Sequence, residues 1–143
     1  MFSRFSSHID IRPSDIDHNG HVHHSKYFDF LLAARMDQMK RCYKMSHEEF
    51  FKRGWTWMVR SYTIEYKRPL KLGNFATVTT WVIGMGNPDQ GRRAQSIATI
   101  GFEISISDTG KKAALGQATY VLVDISSGRA VPIPDEVIEK YSI

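Results

Sequence analysis

Apolar side chains recur along this sequence with two different periods, and each period predicts a different secondary structure. Between positions 25 and 44 they return every three or four residues, which is the spacing of an amphipathic helix. Ser25 precedes this segment and is a suitable N-cap, because its hydroxyl can accept a free N–H of the first turn. The positions expected on the core-facing side are Phe28, Leu31, Leu32, Arg35, Met36 and Met39.

After Gly54 the period changes to two, as in strands with one buried face. A short helix is expected before this change, at about 46–53, and Gly54 would end it. Clusters of Gly, Asn and Asp mark turns between the strands, and two of these turns indicate hairpins. The predicted strands cover 5–12, the segment that begins at Trp55, 76–82, 94–106 and 113–124.

The order and length of these elements predict an α+β fold. We expect a long central helix wrapped by a strongly curved antiparallel sheet of about five strands, in a single domain over residues 1–143. Ala114, Gly116 and Ala118 share one face of the last strand, so the helix can approach the sheet closely there. The exposed edge of such a sheet favours pairing with a second copy, in a homodimer or homotetramer.

Composition excludes several classes of protein. With 24% charged and 12% aromatic residues, the 143-residue chain has the content of a folded domain. Its longest apolar run, 30–34, is far shorter than a bilayer span, so we expect no membrane partner. The first residues lack the apolar core of a signal peptide, and Cys42 is alone, which together predict a reducing cytoplasmic location.

Positive charge is concentrated in one segment. The formal net charge is +4, but positions 40–71 hold nine basic and three acidic side chains, an excess of six. Such a segment can bind nucleic acid, an acidic carrier protein or a phosphorylated ligand, or it can be an ordinary solvated face. Charge alone does not choose among these partners.

The densest polar cluster lies between the first strand and the long helix. Two carboxylates, one amide and four histidines fall within eleven residues, at 14–24. The helix that follows offers free N–H groups and the positive end of its dipole, which suit a developing oxyanion. A carboxylate facing these donors can activate water or attack a carbonyl directly, so the cluster predicts acyl-transfer chemistry.

Two other interpretations of this cluster stay open. The nitrogen and oxygen atoms of its side chains are ligand types suited to zinc or another transition ion. However, the spacing matches no helical pair, and adjacent His23 and His24 are expected to diverge, so no metal cofactor is predicted. The second alternative is a polar loop in which Asp15 shapes a turn. The candidate metal ligands are Asp15, Asp17, His18, His21, His23 and His24.

The loop resembles that of the hotdog-fold thioesterases, the group containing 4-hydroxybenzoyl-CoA thioesterase and the acyl-acyl-carrier-protein thioesterases. The resemblance rests on Asp17, Asn19 and His21 ahead of Tyr27 and an apolar helix. It continues through 64–70 and to Pro132-Ile133-Pro134, and so covers nearly the whole chain. It implies a hotdog domain that hydrolyses an acyl-CoA or acyl-carrier-protein thioester without a cofactor.

The resemblance also implies roles for single residues. Asp17 falls at the catalytic carboxylate, acting either as general base on water or as nucleophile. Asn19 and His21 fall at the positioning amide and the assisting imidazole. The backbone N–H near His24 falls where the family polarises the thioester carbonyl, and Tyr27 is expected to fix the helix start by packing.

Some positions depart from the carrier-protein branch of this family. His23 and His24 replace two asparagines, and Pro69 and Leu70 stand where that branch has an acidic residue. These departures favour CoA over a carrier protein. They also motivate an alternative function, a non-hydrolytic acyl-CoA-binding or assembly module. A dehydratase is less favoured, because its own Asp/His motif is missing.

The resemblance gives the basic segment a more specific interpretation. CoA carries a 3′-phosphate and a diphosphate, so Lys67, Arg68 and Lys71 become candidate contacts for its phosphates. Nucleic acid is then not expected as a partner, because a hotdog fold supplies no base-stacking platform. The apolar strand faces suit a fatty or an aromatic acyl group equally well.

Overall fold

The computed structural model describes residues 2–143, and its elements follow the two periods of the sequence. Five strands and three helices follow along the chain: one strand, two helices, four strands and a last helix. A 3₁₀ turn at Pro13–Asp15 precedes the long helix, and two more lie between the third and fourth strands. The elements are β1 (Arg4–Asp10), α1 (Lys26–Arg41), α2 (His47–Lys52), β2 (Trp55–Tyr66), β3 (Phe75–Met85), β4 (Ile97–Ile106), β5 (Lys112–Asp124) and α3 (Asp135–Tyr141).

The strands form one antiparallel sheet in the order β1-β3-β4-β5-β2. Helix α1 packs on this sheet, and its buried residues share one core cluster with β3, β4 and β5. The predicted α+β architecture, one long helix against about five curved antiparallel strands, is therefore confirmed. Both predicted hairpins are also present, since β3 pairs with β4 and β4 pairs with β5.

The buried face of α1 matches the predicted one only in part: Leu31, Arg35 and Met39 are buried as expected. Leu32 is 48% exposed and Met36 is 44% exposed, although both were expected in the core. Apolar residues cover a wide arc of this helix, so periodicity alone did not determine which stripe meets the sheet. The side chains of α1 that are buried belong to Tyr27, Phe30, Leu31, Ala34, Arg35, Gln38 and Met39.

A buried amide fixes α1 along the sheet. Gln38 is fully buried, and its side-chain N–H groups donate to Ser7 of β1 at 3.1 Å and to the Val78 carbonyl of β3 at 3.4 Å. The Thr80 hydroxyl donates to the amide oxygen of Gln38. Because an unpaired buried amide is costly, these bonds disfavour any sliding of the helix over β1 and β3.

Other sequence expectations were wrong in detail. Ser25 occupies the N-cap position of α1, but its hydroxyl pairs with His23 Nδ1 at 2.8 Å instead of capping the helix. Ala94 and Ser96 lie in a 3₁₀ turn ahead of β4, not in the strand. Helix α3 was not predicted, because its seven residues are too few for a clear period.

The small residues on one face of β5 are required for two different reasons. Ala114 and Ala118 are fully buried in the core cluster that includes α1, as expected. Gly116 is required for another reason, because a Cβ there would overlap the backbone carbonyl oxygen of Thr63 on β2. Gly116 therefore permits the close pairing of β5 with β2.

None of the helices within residues 2–143 is long and apolar enough to cross a membrane.

We predict that Gly116→Ala lowers the free energy of unfolding by at least about 2 kcal/mol, because the added methyl group forces β2 away from β5. Urea denaturation followed by circular dichroism measures this change. Gly84→Ala is the matched control: Gly84 is also in a strand, and a Cβ there meets nothing within 4 Å. The control should change stability by less than about 0.5 kcal/mol. Equal stability of the two variants would contradict the close-pairing interpretation.

Candidate active site

The polar loop ahead of α1 is held against the sheet by backbone hydrogen bonds. Ile16 and Val22 form a bridge across the loop, and the Val22 N–H donates to the Leu70 carbonyl at 2.8 Å. The His23 N–H donates to the Asp15 carbonyl at 2.7 Å. Asp15 itself is buried and accepts the Arg12 N–H at 2.9 Å, so it shapes the turn as the structural alternative expected.

Asp17 closes the tip of the loop with one of its two carboxylate oxygens. Oδ1 accepts the N–H of Asn19 at 2.9 Å and that of His21 at 3.2 Å. Gly20 has φ +79°, a conformation that favours glycine, and it lets the chain reverse between these two donors. Within residues 2–143 no group donates to Oδ2, which leaves one positioned oxygen of Asp17 available.

The same contacts keep Asp17 ionised. Desolvation raises the pKa of Asp17, but the amide hydrogen bonds from Asn19 and His21 and the nearby His18 and His21 rings outweigh it. The pKa of Asp17 therefore lies below its ordinary value. At neutral pH this carboxylate is charged, as a general base or a nucleophile requires.

An open cleft of about 290 Å³ brings most of the predicted site residues together. Its walls come from the loop, the start of α1 and the end of β2. Asn19 is exposed and lies outside the cleft, and its backbone N–H rather than its side chain supports Asp17. The predicted residues that line the cleft are Asp17, His21, His24, Lys67 and Arg68.

The His24 backbone N–H is a free donor on a residue that lines the same cleft as Asp17. In the described chain no acceptor takes this N–H, whereas the Lys26 N–H donates to the His23 carbonyl and the Ser25 N–H to His23 Nδ1. His24 lies next to the N-terminus of a 16-residue helix, whose dipole adds positive potential. The cleft therefore combines an available carboxylate oxygen with a donor suited to an oxyanion.

Two tyrosines hold these groups in place. Tyr27 is 3% exposed, and its hydroxyl oxygen accepts the Leu70 N–H at 3.3 Å, in agreement with its expected packing role. Tyr66 was not anticipated: its hydroxyl donates to the His24 carbonyl at 3.0 Å, and its ring meets that of Tyr27 edge-on. The signal in the sequence was the alternation of β2, which places Tyr62, Ile64 and Tyr66 on one face.

The histidines do not assemble into a metal centre. In the described part of the chain no three His, Cys, Asp or Glu side chains converge as metal ligands. His23 and His24 were expected to diverge, but their rings stack with centroids 4.4 Å apart. The His23 ring is also held by Ser25 through Nδ1.

The three basic candidates differ in their surroundings. Lys67 pairs with Glu65 at 2.7 Å, and Arg68 Nη1 donates to the Lys112 carbonyl at 3.2 Å; both still line the cleft. Lys71 bridges to His21 through the backbone, but its side chain is not among the cleft walls. Two of the three candidates therefore border the site directly.

Solved structures share this fold over nearly their whole length. The DHNA-CoA thioesterase of Staphylococcus aureus is 19% identical with a TM-score of 0.83, and the match covers 97% of this chain and 89% of that one. The 1,4-dihydroxy-2-naphthoyl-CoA thioesterase Slr0204 of Synechocystis is 14% identical, with a TM-score of 0.80 over 97% and 95% of the two chains. A Thermus thermophilus thioesterase solved with coenzyme A and Zn is 24% identical, with a TM-score of 0.76 over 95% and 90%.

These neighbours are thioesterases of the hotdog fold, which confirms the fold inferred from the sequence. Among curated protein sequences none matches this chain. The family model of the thioesterase-like superfamily matches residues 11–141, which include the loop, the helix and the whole cleft. The chain therefore belongs to the thioesterase-like superfamily.

Proposed function

We propose that this protein hydrolyses an acyl-CoA thioester to a free acid and CoA. The observation that carries the proposal is the cleft at the start of α1, where Asp17 Oδ2 and the His24 N–H are both free. Membership of the thioesterase-like superfamily supports thioester hydrolysis in general. The Thermus neighbour solved with coenzyme A supports a CoA-type thiol rather than a carrier protein.

In this proposal Asp17 supplies the carboxylate chemistry. Its Oδ2 either takes a proton from the attacking water or attacks the carbonyl carbon itself, and water then hydrolyses the acyl-enzyme anhydride. The His24 N–H donates to the oxyanion that forms, and the dipole of α1 adds to this stabilisation. His21 assists through its imidazole at the cleft wall, and Asn19 positions Asp17 through its backbone N–H. In the general-base route the proton that Asp17 took from water passes to the departing CoA thiolate. In the nucleophilic route the thiolate takes a proton from solvent, and the hydrolysing water supplies the hydroxyl of the free acid.

We predict that Asp17→Asn lowers kcat about 10²- to 10⁴-fold and changes KM much less, because the carboxylate acts mainly in the transition state. The fold should survive, since the asparagine oxygen can accept the same two amide hydrogen bonds. Thiol release from a panel of acyl-CoAs measures the effect. Asp108→Asn, in the exposed β4–β5 turn, is the matched control. Wild-type turnover by purified Asp17→Asn would show that the carboxylate assignment is wrong.

One observation favours the alternative of a non-hydrolytic acyl-CoA-binding or assembly module. Among the described residues that line the cleft, Asp17 is the single carboxylate, and Pro69 lines it where the carrier-protein branch has an acidic residue. A module that only binds acyl-CoA would need no second acidic residue in the cleft. The panel of acyl-CoAs separates the two functions. A non-hydrolytic module would bind acyl-CoA but release no thiol from short, long or aromatic esters.

The basic residues at the cleft border are proposed to bind the phosphates of CoA. Lys67→Gln, Arg68→Gln and Lys71→Gln together should raise KM for acyl-CoA about 10-fold and lower kcat less, because these contacts would hold the CoA phosphates rather than the reacting carbonyl. Added salt should raise the wild-type KM in the same way. The charge-matched control replaces Arg92, Arg93 and Lys111 with Gln, on exposed turns away from the cleft. Unchanged KM in the first variant would make this segment an ordinary solvated surface.

We propose that the protein works as a dimer of hotdog domains joined through β2. This strand lies at one edge of the sheet, so one side of its 12-residue backbone is unpaired. Met58 and Val59 on it are 53% and 47% exposed, whereas the other edge strand, β1, is shorter and more polar. Antiparallel pairing of two β2 strands about a two-fold axis would cover this apolar edge.

We predict that light scattering gives about twice the 16.4 kDa chain mass for the wild type and a monomer for Met58→Glu with Val59→Glu. Like charges would face each other across the two-fold axis and oppose pairing. Phe75→Glu with Ile83→Glu is the matched control, because these exposed apolar residues lie on β3. A monomeric wild type, or a dimeric β2 variant, would contradict pairing through this edge.

A further inference from the structure

One cationic side chain of α1, that of Arg35, is buried among mostly apolar residues. Arg35 is only 8% exposed, and its Nη1 is buried with no hydrogen-bond partner among the described residues. Every ion pair found within residues 2–143 joins other side chains, so Arg35 has no carboxylate within 4 Å. A buried guanidinium nitrogen without a partner is costly, so Arg35 can still accept an anion supplied from outside the chain.

Arg35 borders a small cavity between α1 and the sheet. The cavity measures about 40 Å³, which is room for a carboxylate-sized group. Its other walls are mostly apolar and come from α1 and four strands; they include Leu32, Trp57, Ile100 and Tyr120. An apolar pocket with one cation in its wall is complementary to an apolar chain that ends in an anion.

The surroundings of Arg35 contain tyrosines but no carboxylate among the described residues. Its guanidinium lies 5.8 Å from the centroid of the Tyr43 ring. Burial raises the pKa of Tyr43, and the charge of Arg35 and its contact with the Tyr43 hydroxyl offset part of this rise. Burial raises the pKa of Tyr120, and the positive charge of Arg35 offsets part of this rise. Asp37, the nearest acid along the helix, is already held by Arg41 and Ser7.

Aromatic and aliphatic side chains of α1 lie between the cleft at the helix start and this cavity. Phe28, Leu32 and Arg35 follow one another at the four- and three-residue spacing of one helix face. Phe28 packs edge-on against Tyr62 of β2, whose ring stacks on Phe102 of the sheet. From Lys26 to Arg35 the helix rises about 14 Å, which is the reach of a medium-length acyl group.

We propose that Arg35 is a specificity-determining residue that binds a carboxylate at the far end of the substrate's acyl group. The proposal rests on the function proposed above and adds a substrate class to it, the ω-carboxyacyl-CoA thioesters. The thioester end lies at Asp17, the apolar chain follows the row of Phe28 and Leu32, and the distal carboxylate reaches Arg35. A guanidinium suits this role because it can form two parallel hydrogen bonds to one carboxylate.

The test compares pairs of CoA esters that differ only at the distal end: hexanedioyl- with hexanoyl-CoA, octanedioyl- with octanoyl-CoA, and decanedioyl- with decanoyl-CoA. The wild type should prefer the carboxylated member in kcat/KM at one length or more, by about 10-fold. Arg35→Met should lower kcat/KM for that ester about 10- to 100-fold and leave the unsubstituted ester within about twofold. Preference of the wild type for the unsubstituted ester at every length overturns the proposal.

Control variants separate specificity from folding. Arg92→Met, on an exposed turn, removes the same charge and should leave the ratio of the two esters unchanged. Replacing a buried unpaired charge by an apolar side chain is often neutral or stabilising, so Arg35→Met should keep the wild-type Tm or exceed it. Arg35→Lys should retain part of the preference. A much lower Tm of Arg35→Met, with both ester series lost alike, would assign Arg35 a structural role and overturn the proposal.

A binding experiment keeps this inference separate from the proposed hydrolysis. If no acyl-CoA is hydrolysed, the proposed function fails, but calorimetry with octanoate and octanamide still tests Arg35. Octanoate should bind the wild type at least about 10-fold more tightly than octanamide, and Arg35→Met should remove the difference. Equal binding of the two probes, or a crystal structure in which a carboxylate of a second copy occupies Arg35, overturns the proposal.

Discussion

The position of α1 along the sheet is the constraint on which the rest of the molecule depends. Gln38 is bonded to β1 and β3 inside the core, so the helix cannot slide without leaving a buried amide unpaired. This anchor near the C-terminal end determines where the N-terminal end lies. Tyr27 then ties the first turn to Leu70, and Tyr66 ties the preceding peptide to β2. The free N–H of His24 is thereby held at the cleft.

Preorganisation of the carboxylate follows from the same arrangement. Asp17 uses one oxygen to close its own loop, and the loop is in turn fixed through Val22 to the segment after β2. The charge that chemistry requires is thus stabilised before any substrate arrives, because the two amide donors hold the pKa of Asp17 low. A carboxylate whose geometry is set by the backbone would need little rearrangement in the proposed hydrolysis.

The sequence predicted the architecture well because strand alternation and helical spacing are strong local signals. It placed Asp17, His21 and the start of the helix in one region, since they are close along the chain. It could not choose between the two apolar stripes of α1, and so Leu32 and Met36 were expected in the core. It also missed Tyr66, because the contact with His24 depends on how β2 returns past the helix start. Such contacts arise from topology rather than from local pattern.

Arg35 was correctly predicted on the buried side of α1, but its burial raises a question about function. Its spacing assigned it to the buried side of α1, and it is buried, but burial of a guanidinium among apolar residues is unfavourable without an anion. Gln38, one turn later, shows that this helix can satisfy a buried polar group fully where the purpose is structural. The contrast on the same helix argues that Arg35 is matched to a group that this chain does not itself supply. A rigid helix between Asp17 and Arg35 would then define both the chemistry at one end and the length of acyl group accepted at the other.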